Sequence, residues 1–222
     1  LSGLACREVH VPLFYDGEVR VYKTPCGPFD NNAYLIVCPQ SGESIIIDAP
    51  ARPEELLEEA RGTRVRAILI THTHQDHLSG LREVRDATSA PVAAHREDAA
   101  GLPEPPAFLV EEGDTIRAGT IEMRVLHTPG HTPGSVCYQV GGHLFAGDTL
   151  FPGGPGKTRS PEALRQIVGS ITGKLHLLPD DTLVLPGHGQ ETTLGKSKEE
   201  YRVFAGKSHP PDLCGDVLWL ES

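Results

Sequence analysis

Seven consecutive residues, Thr71-His72-Thr73-His74-Gln75-Asp76-His77, put three imidazoles and a carboxylate directly after the apolar run Ala67-Ile68-Leu69-Ile70. Neutral imidazole nitrogen and carboxylate oxygen are ligands that suit zinc, iron or manganese. A polar turn whose histidines only hydrogen-bond is the alternative, and it explains one histidine more readily than three beside an aspartate. The four groups fall at i, i+2, i+4 and i+5, which no single helical face collects, so the segment is expected to be a loop. A catalytic zinc takes three protein ligands and a water, so four ligands in one loop point to two metals sharing the work.

Other elements must position this loop and supply further ligands. A buried-type strand over 66–70 leads into it, and a helical pattern (Leu78, Leu81, Val84, Arg85) leaves it, with Asp76 expected at the helix N-cap. Upstream, residues 18–23, 33–38 and 44–48 read as strands of a first sheet, and Pro53 opens a helix ending by Gly62. Downstream come a short strand at 91–95, a Pro-rich surface connection at 102–106, a hairpin-type turn at Gly113-Asp114 and a strand at 120–127. Thr128-Pro129-Gly130-His131-Thr132-Pro133-Gly134 then presents one histidine between two Pro-Gly turns. Strands at 135–140 and 143–146 form a Gly141-Gly142 hairpin ending in Gly147-Asp148. A Gly-rich loop carries Lys157, a helix begins near Ser160-Pro161-Glu162, and the apolar strand 182–185 runs into Pro186-Gly187-His188-Gly189. His131, Asp148 and His188 thus each follow a strand end, as the first loop does, so four strand ends converge on one edge of the fold. Loops leaving the carboxyl ends of strands are where open α/β folds bind ligands. A short helix (196–204) and an irregular tail with Trp219 finish the chain.

The 222 residues suffice for one sizeable core, read as a single domain over 1–222. A net charge of −10 opposes a broad nucleic-acid or anionic-membrane surface, because such partners want a basic face. Five cysteines (Cys6, Cys26, Cys38, Cys137, Cys214), with no CxxC spacing, do not make a disulfide framework, and a reducing cytoplasmic setting is expected. Neither a signal-peptide run nor a membrane-length apolar span is visible. Residue 1 is Leu, so a removed leader stays open. The expected partner is a small-molecule substrate, with a homo-oligomer left open.

These residues resemble the metallo-β-lactamase superfamily, whose His-x-His-x-Asp-His signature stands here as His72, His74, Asp76 and His77, followed in order by His131, Asp148 and His188. The resemblance runs from about residue 18 to 190. Through Thr-Pro-Gly-His-Thr-Pro-Gly-Ser and Gly-Asp-Thr-Leu-Phe it is greatest to the small glyoxalase II-like hydrolases. It implies an α/β fold, the four-layer αββα sandwich, with two divalent metal ions, zinc first and iron or manganese as substitutes. His72, His74 and His131 would hold metal 1, and Asp76, His77 and His188 metal 2, with Asp148 bridging. A water shared by two cations becomes hydroxide near neutral pH, and Asp76 is placed to orient it.

Lys157 lies where glyoxalase II enzymes carry a lysine that contacts the glutathione carboxylate; the other reading is a solvated loop lysine. Thr158 departs from the aromatic residue those enzymes have nearby, and residues 189–222 are fewer than their C-terminal helical domain. The resemblance therefore implies a thioester or ester hydrolase rather than lactoylglutathione as such. The first rival is a persulfide dioxygenase with one iron on His72, His131 and Asp148, although that family has Arg near the place of Lys157. A lactonase or β-lactamase-like hydrolase and a catalytically silent metal-binding scaffold are further alternatives. The remaining histidines (His10, His95, His127, His143, His176 and His209) read as surface or hydrogen-bonded core residues, Cys137 reads as core, and Tyr34 and Phe151 as either core or pocket lining.

Overall fold

The computed structural model describes residues 13–222, so His10 and Cys6 lie outside the described residues. Seven strands form the first sheet: β1 (Leu13–Asp16), β2 (Arg20–Cys26), β3 (Asn31–Val37), β4 (Glu43–Ile47), β5 (Arg64–Leu69), β6 (Val92–His95) and β7 (Phe108–Val110), side by side in chain order. β1 to β4 pair antiparallel, and β4 to β7 pair parallel. Parallel neighbours need crossovers. Helix α1 (Glu54–Ala60) supplies the one between β4 and β5, and α2 (Gln75–Leu78) with α3 (Leu81–Thr88) the one between β5 and β6.

The second sheet contains β8 (Thr115–Ala118), β9 (Ile121–His127), β10 (Val136–Val140) and β11 (His143–Gly147). A two-stranded ribbon, β12 (Leu150–Phe151) and β13 (Gly154–Pro155), and helix α4 (Pro161–Gly173) intervene before β14 (Leu183–Pro186), β15 (Thr192–Thr193) and helix α5 (Leu194–Ala205). The order across this sheet is β15-β14-β11-β10-β9-β8.

Three apolar clusters make the layers. Strand alternation sends Tyr34 and Ile36 of β3, and Ile45 and Ile47 of β4, into the space between the sheets, where they meet Met123, Val125, Tyr138 and Phe145. The intervening residues Leu35, Ile46, Ile68 and Ile70 face outward onto Leu56, Leu81 and Val84 of α1 and α3. Behind the second sheet, Leu126, Cys137 and Leu144 pack under Leu164, Ile167 and Ile171 of α4 and Phe204 of α5. The four-layer αββα sandwich that the family resemblance implies is thus observed. Each fully buried Ile or Leu contributes about 1.5–3 kcal/mol relative to exposure.

Three local expectations are corrected. The N-cap of α2 is His74, with ψ 142, and Asp76 lies inside the first turn. The helix after the loop is two pieces, because Gly80 donates its N–H to Ala49 O (2.9 Å) and a Cβ there would be driven into the Pro50 carbonyl. Gly113-Asp114 does not turn a hairpin: it carries the chain from β7 in the first sheet to β8 in the second, and the β8–β9 hairpin turns at Gly119 (φ +59) instead. The C-terminal tail packs on the protein, with Trp219 fully buried behind the second sheet.

Candidate metal centre

The first loop is fixed from below by Asp48, which follows β4 with φ 57 and is 1% exposed. Its Oδ1 accepts the Thr71 N–H (2.8 Å) and its Oδ2 accepts both the Thr71 hydroxyl (2.7 Å) and His77 Nδ1–H (3.0 Å). Thr71 O in turn accepts the Val136 N–H (2.9 Å), which ties the loop to the second sheet. With its own proton committed to Asp48, the Thr71 hydroxyl accepts from His72 Nδ1–H (3.2 Å).

The other loops deliver their groups the same way. His131 donates Nδ1–H to Lys157 O (2.8 Å) and His188 donates Nδ1–H to Phe29 O (2.8 Å). Proton-bearing Nδ1 atoms leave the Nε2 lone pairs of His72, His77, His131 and His188 free to ligate. Two glycines make the approach of the loops feasible. A Cβ on Gly187 would press on Asp148 Oδ1 and lie 2.6 Å from His77 Cε1, and Gly147, at φ +47, sits with its Cβ direction 2.6 Å from the Thr71 side chain.

All seven expected ligands come together. His74 Nδ1 lies 3.1 Å from His72 Nε2 and 2.9 Å from His131 Nε2. His188 Nε2 lies 3.1 Å from His77 Nε2 and 3.2 Å from Asp76 Oδ2. Asp148 stands between the groups, with Oδ2 3.5 Å from both His131 Nε2 and His188 Nε2, and Oδ1 3.4 Å from His77 Nε2. Three sets have the spacing of a metal site: His72/His74/His131, His72/His77/Asp148 and Asp76/His77/His188. Nitrogens around a tetrahedral zinc with bonds of about 2.0–2.1 Å stand about 3.3 Å apart, close to these separations. The donor set also fits a cation because Asp148 Oδ1 is buried without a hydrogen-bond partner.

The electrostatics agree. Burial, together with the neighbouring imidazoles, holds His72 well below the ordinary histidine range, neutral as a ligand must be. Burial pushes His77 down as well, but the Asp148 and Asp48 carboxylates outweigh it and carry the ring up to about 10. Burial pushes Asp148 up, yet His188, His77 and His72 hold it well below the usual carboxylate range. The attraction that retains a proton at His77 is the attraction a divalent cation would meet.

Lys157 keeps its carbonyl on His131, while its exposed ammonium pairs with Asp216 at 3.1 Å. Phe151 is half-buried with its ring 6.3 Å from that of His188, whereas Tyr34 is core: it is buried, and its hydroxyl donates to Pro186 O (2.7 Å). His95 and His127 stack on each other at 3.9 Å, and His127 Nε2 donates to Pro133 O (2.9 Å), bracing the His131 loop. His176 bonds Ser197 (2.9 Å) and His209 donates to Phe204 O (2.7 Å), as structural histidines do.

Sequence reasoning missed Asp48 and Asn31. Asn31, 1% exposed, donates Nδ2–H to Asp76 Oδ2 (2.9 Å) and lies 3.4 Å from His188 Nε2. Asp48 carried a usable signal, an acid just past the Ile45-Ile46-Ile47 strand like the ligands themselves. Asn31 carried none, because it sits in a turn cluster rich in polar residues.

Two facing sheets between helices, with imidazoles and carboxylates gathered from loops at strand ends, define a metal-binding αββα protein. The model of the metallo-beta-lactamase superfamily matches residues 26–188, and the chain belongs to that family. It is 39% identical over 166 residues to the hydroxyacylglutathione hydrolase of a Polaromonas species, covering 72% of this chain and 62% of that protein. The chain thus spans less than two thirds of that hydrolase. Among solved structures it is similar to the BLEG-1 B3 metallo-beta-lactamase, with a TM-score of 0.72 and 32% identity over 81% of this chain and 96% of that one. It is also similar to TTHA1623 in a di-iron-bound form, with a TM-score of 0.66 and 34% identity over 80% and 96% of the two chains. No helix among the described residues is long and apolar enough to cross a membrane.

Proposed function

We propose that the chain is a dinuclear metal-dependent hydrolase of a small thioester or ester, with His72, His74 and His131 holding one ion, Asp76, His77 and His188 the other, and Asp148 shared between them. The carrying observation is the convergence of five imidazoles and two carboxylates on facing nitrogen and oxygen atoms, with a buried Asp148 oxygen left without a hydrogen-bond partner. Two divalent cations bound there, zinc first and iron or manganese by the same donor chemistry, supply hydroxide near neutral pH and polarise a carbonyl.

The chain's own residues position and move protons. Burial pushes Asp76 up, but the Asn31 hydrogen bond and the neighbouring His77 and His188 hold it below the usual carboxylate range. Ionised and pinned by Asn31, Asp76 orients the nucleophile and receives its proton. The Nδ1–H bonds to Asp48, Lys157 O and Phe29 O keep the rings of His77, His131 and His188 in the ligating tautomer. Lys157, whose exposed pair with Asp216 is worth little and exchanges readily, is assigned to an anionic group of the substrate. Similarity to a protein named hydroxyacylglutathione hydrolase supports the thioester class.

The test is metal content by mass spectrometry, paired with a thioester hydrolysis assay. Two ions per chain, with turnover abolished by chelator, is the expected result. A second reading places one iron on His72, His131 and Asp148, although Asp148 Oδ2 lies 3.5 Å from His188 Nε2 as well as from His131 Nε2. One iron per chain, no thioesterase, and oxygen uptake with glutathione persulfide would replace the first reading with this one.

A further inference from the structure

Asp98 lies beyond β6, 6% exposed, at the start of a single 3-10 turn (Ala99–Gly101). Its carboxylate reaches two ligand loops. Oδ2 accepts the Thr73 N–H (3.1 Å), the Thr73 hydroxyl (3.4 Å) and the Thr132 hydroxyl (2.8 Å), while Oδ1 accepts the Gly134 N–H (2.8 Å). Thr73 is the residue between His72 and His74, and Thr132 follows His131. The approach depends on missing side chains. A Cβ on Gly134 would lie 2.6 Å from both the Asp98 nitrogen and Oδ1, and one on Gly101 would strike the Thr73 hydroxyl. The backbone of Asp98 is itself held, with its N–H on His95 O (3.1 Å) and its carbonyl accepting from Gly101 N (2.8 Å). The Thr73 bonds fall between His72 and His74, ahead of the turn that carries Asp76 and His77 in the same loop, and none of these bonds reaches the His188 loop.

We infer that Asp98 is a positioning residue that acts chiefly on the His72, His74 and His131 cluster, by clamping together the two loops that deliver it. A loop that drifts moves an imidazole off the ion; groups that hydrogen-bond the ligands themselves are worth about 10–100-fold in metal affinity, and the lower end of that range is expected of a residue acting through the loop backbone. The two supports are thus unlike: Asp98 ties the His74 side of the first loop to the His131 loop, whereas Asp48 bonds His77 directly and holds the start of the first loop through Thr71. The inference rests on the two-ion reading proposed above.

Asp98→Asn cannot satisfy both sides. An amide oxygen facing the threonines leaves its NH2 against the Gly134 N–H, and the reverse leaves NH2 against the Thr73 N–H. Thr132→Val removes the hydroxyl's bonds to Asp98 and to Ser135, leaves the carboxylate paired with Thr73 and Gly134, and guards against a variant that fails to fold. The experiment is competitive zinc titration against a chromophoric chelator, with cobalt absorption as a spectroscopic reporter and circular dichroism to check the fold. Asp98→Asn is expected to leave one ion within about twofold of wild type and to bind the ion of the His72, His74 and His131 cluster about 10-fold more weakly. Thr132→Val shifts the same ion by less. In a His131→Ala background, where that cluster is already broken, Asp98→Asn adds nothing. Wild-type affinities for both ions in either folded variant, equal weakening of both, or a further loss in the His131→Ala background each overturn the inference. Uptake of fewer than two ions by the wild type overturns the two-ion reading, and the inference with it.

Discussion

Asp48→Asn separates the contribution of charge and tautomer at the centre from that of shape. The substitution is nearly isosteric, and asparagine tolerates the left-handed backbone found at φ 57, so the fold has no reason to change. The wild-type carboxylate accepts three hydrogen bonds, two from Thr71 and one from His77 Nδ1–H, and an amide offers one oxygen where two stood. If that oxygen keeps the Thr71 N–H, the NH2 faces His77 Nδ1, which must become the acceptor. The ring proton then moves to Nε2, the atom that faces Asp148, Asp76 and His188. If the amide turns over, His77 keeps its tautomer but a buried Thr71 N–H meets an NH2. Either arrangement costs about 1–3 kcal/mol, or about 5- to 150-fold in equilibrium affinity. The loss falls on the ion shared with Asp76 and His188. Competitive metal titration reads it directly, and kcat/KM for a thioester should fall by at least as much. Wild-type affinity for both ions in folded Asp48→Asn would refute the reasoning that His77 is held in its ligating tautomer by this carboxylate.

Other outcomes follow from single contacts. Gly187→Ala should abolish loading of the shared position and reduce turnover by at least about 100-fold, since a 1 Å misplacement alone costs that much; its metal content by mass spectrometry decides. Asp216→Asn should release Lys157 from its exposed pair. KM for a carboxylate-bearing thioester should then fall about two- to fivefold, within the worth of a surface ion pair, with a neutral thioester unchanged; equal responses would remove Lys157 from substrate binding. His176 is held at about 4 by burial and by Lys198 and Arg202. A depressed histidine binds protons more readily when unfolded, so stability should fall as pH drops from about 6.5 towards about 4. The single-site contribution is about 2–3 kcal/mol, and denaturant titrations at pH 7 and 4.5 should show that part of the drop missing in His176→Asn.

The ligand set was legible in the chain because metal ligands declare themselves by type. A run of His-x-His-x-Asp-His has few structural uses, and glycine-flanked His131, Asp148 and His188 each stand at the end of an apolar run that could only be a strand. The sandwich was legible through the family resemblance that the ligand run carries, while residue patterning by itself gave only individual strands, such as the alternating β9. The hydrogen-bonding supports were less legible. Asp48 offered only its place just past a strand, Asn31 and Asp98 look like ordinary turn residues, and the partners of all three lie 23 to 45 positions away in the chain. The same blindness placed a hairpin at Gly113-Asp114, since a turn signal says that the chain reverses and not which sheet receives it.

Local chemistry therefore determined which atoms could bind a cation and which segments could be strands, because both depend on residue type and short-range period. Only the tertiary structure decided how far Asp148 stands from each cluster, that Lys157 faces Asp216, and that Asp48 and Asp98 brace the same loop at different points. Those outcomes depend on how two sheets and their loops meet in space, and no short-range pattern in a sequence encodes a distance between residues far apart along it.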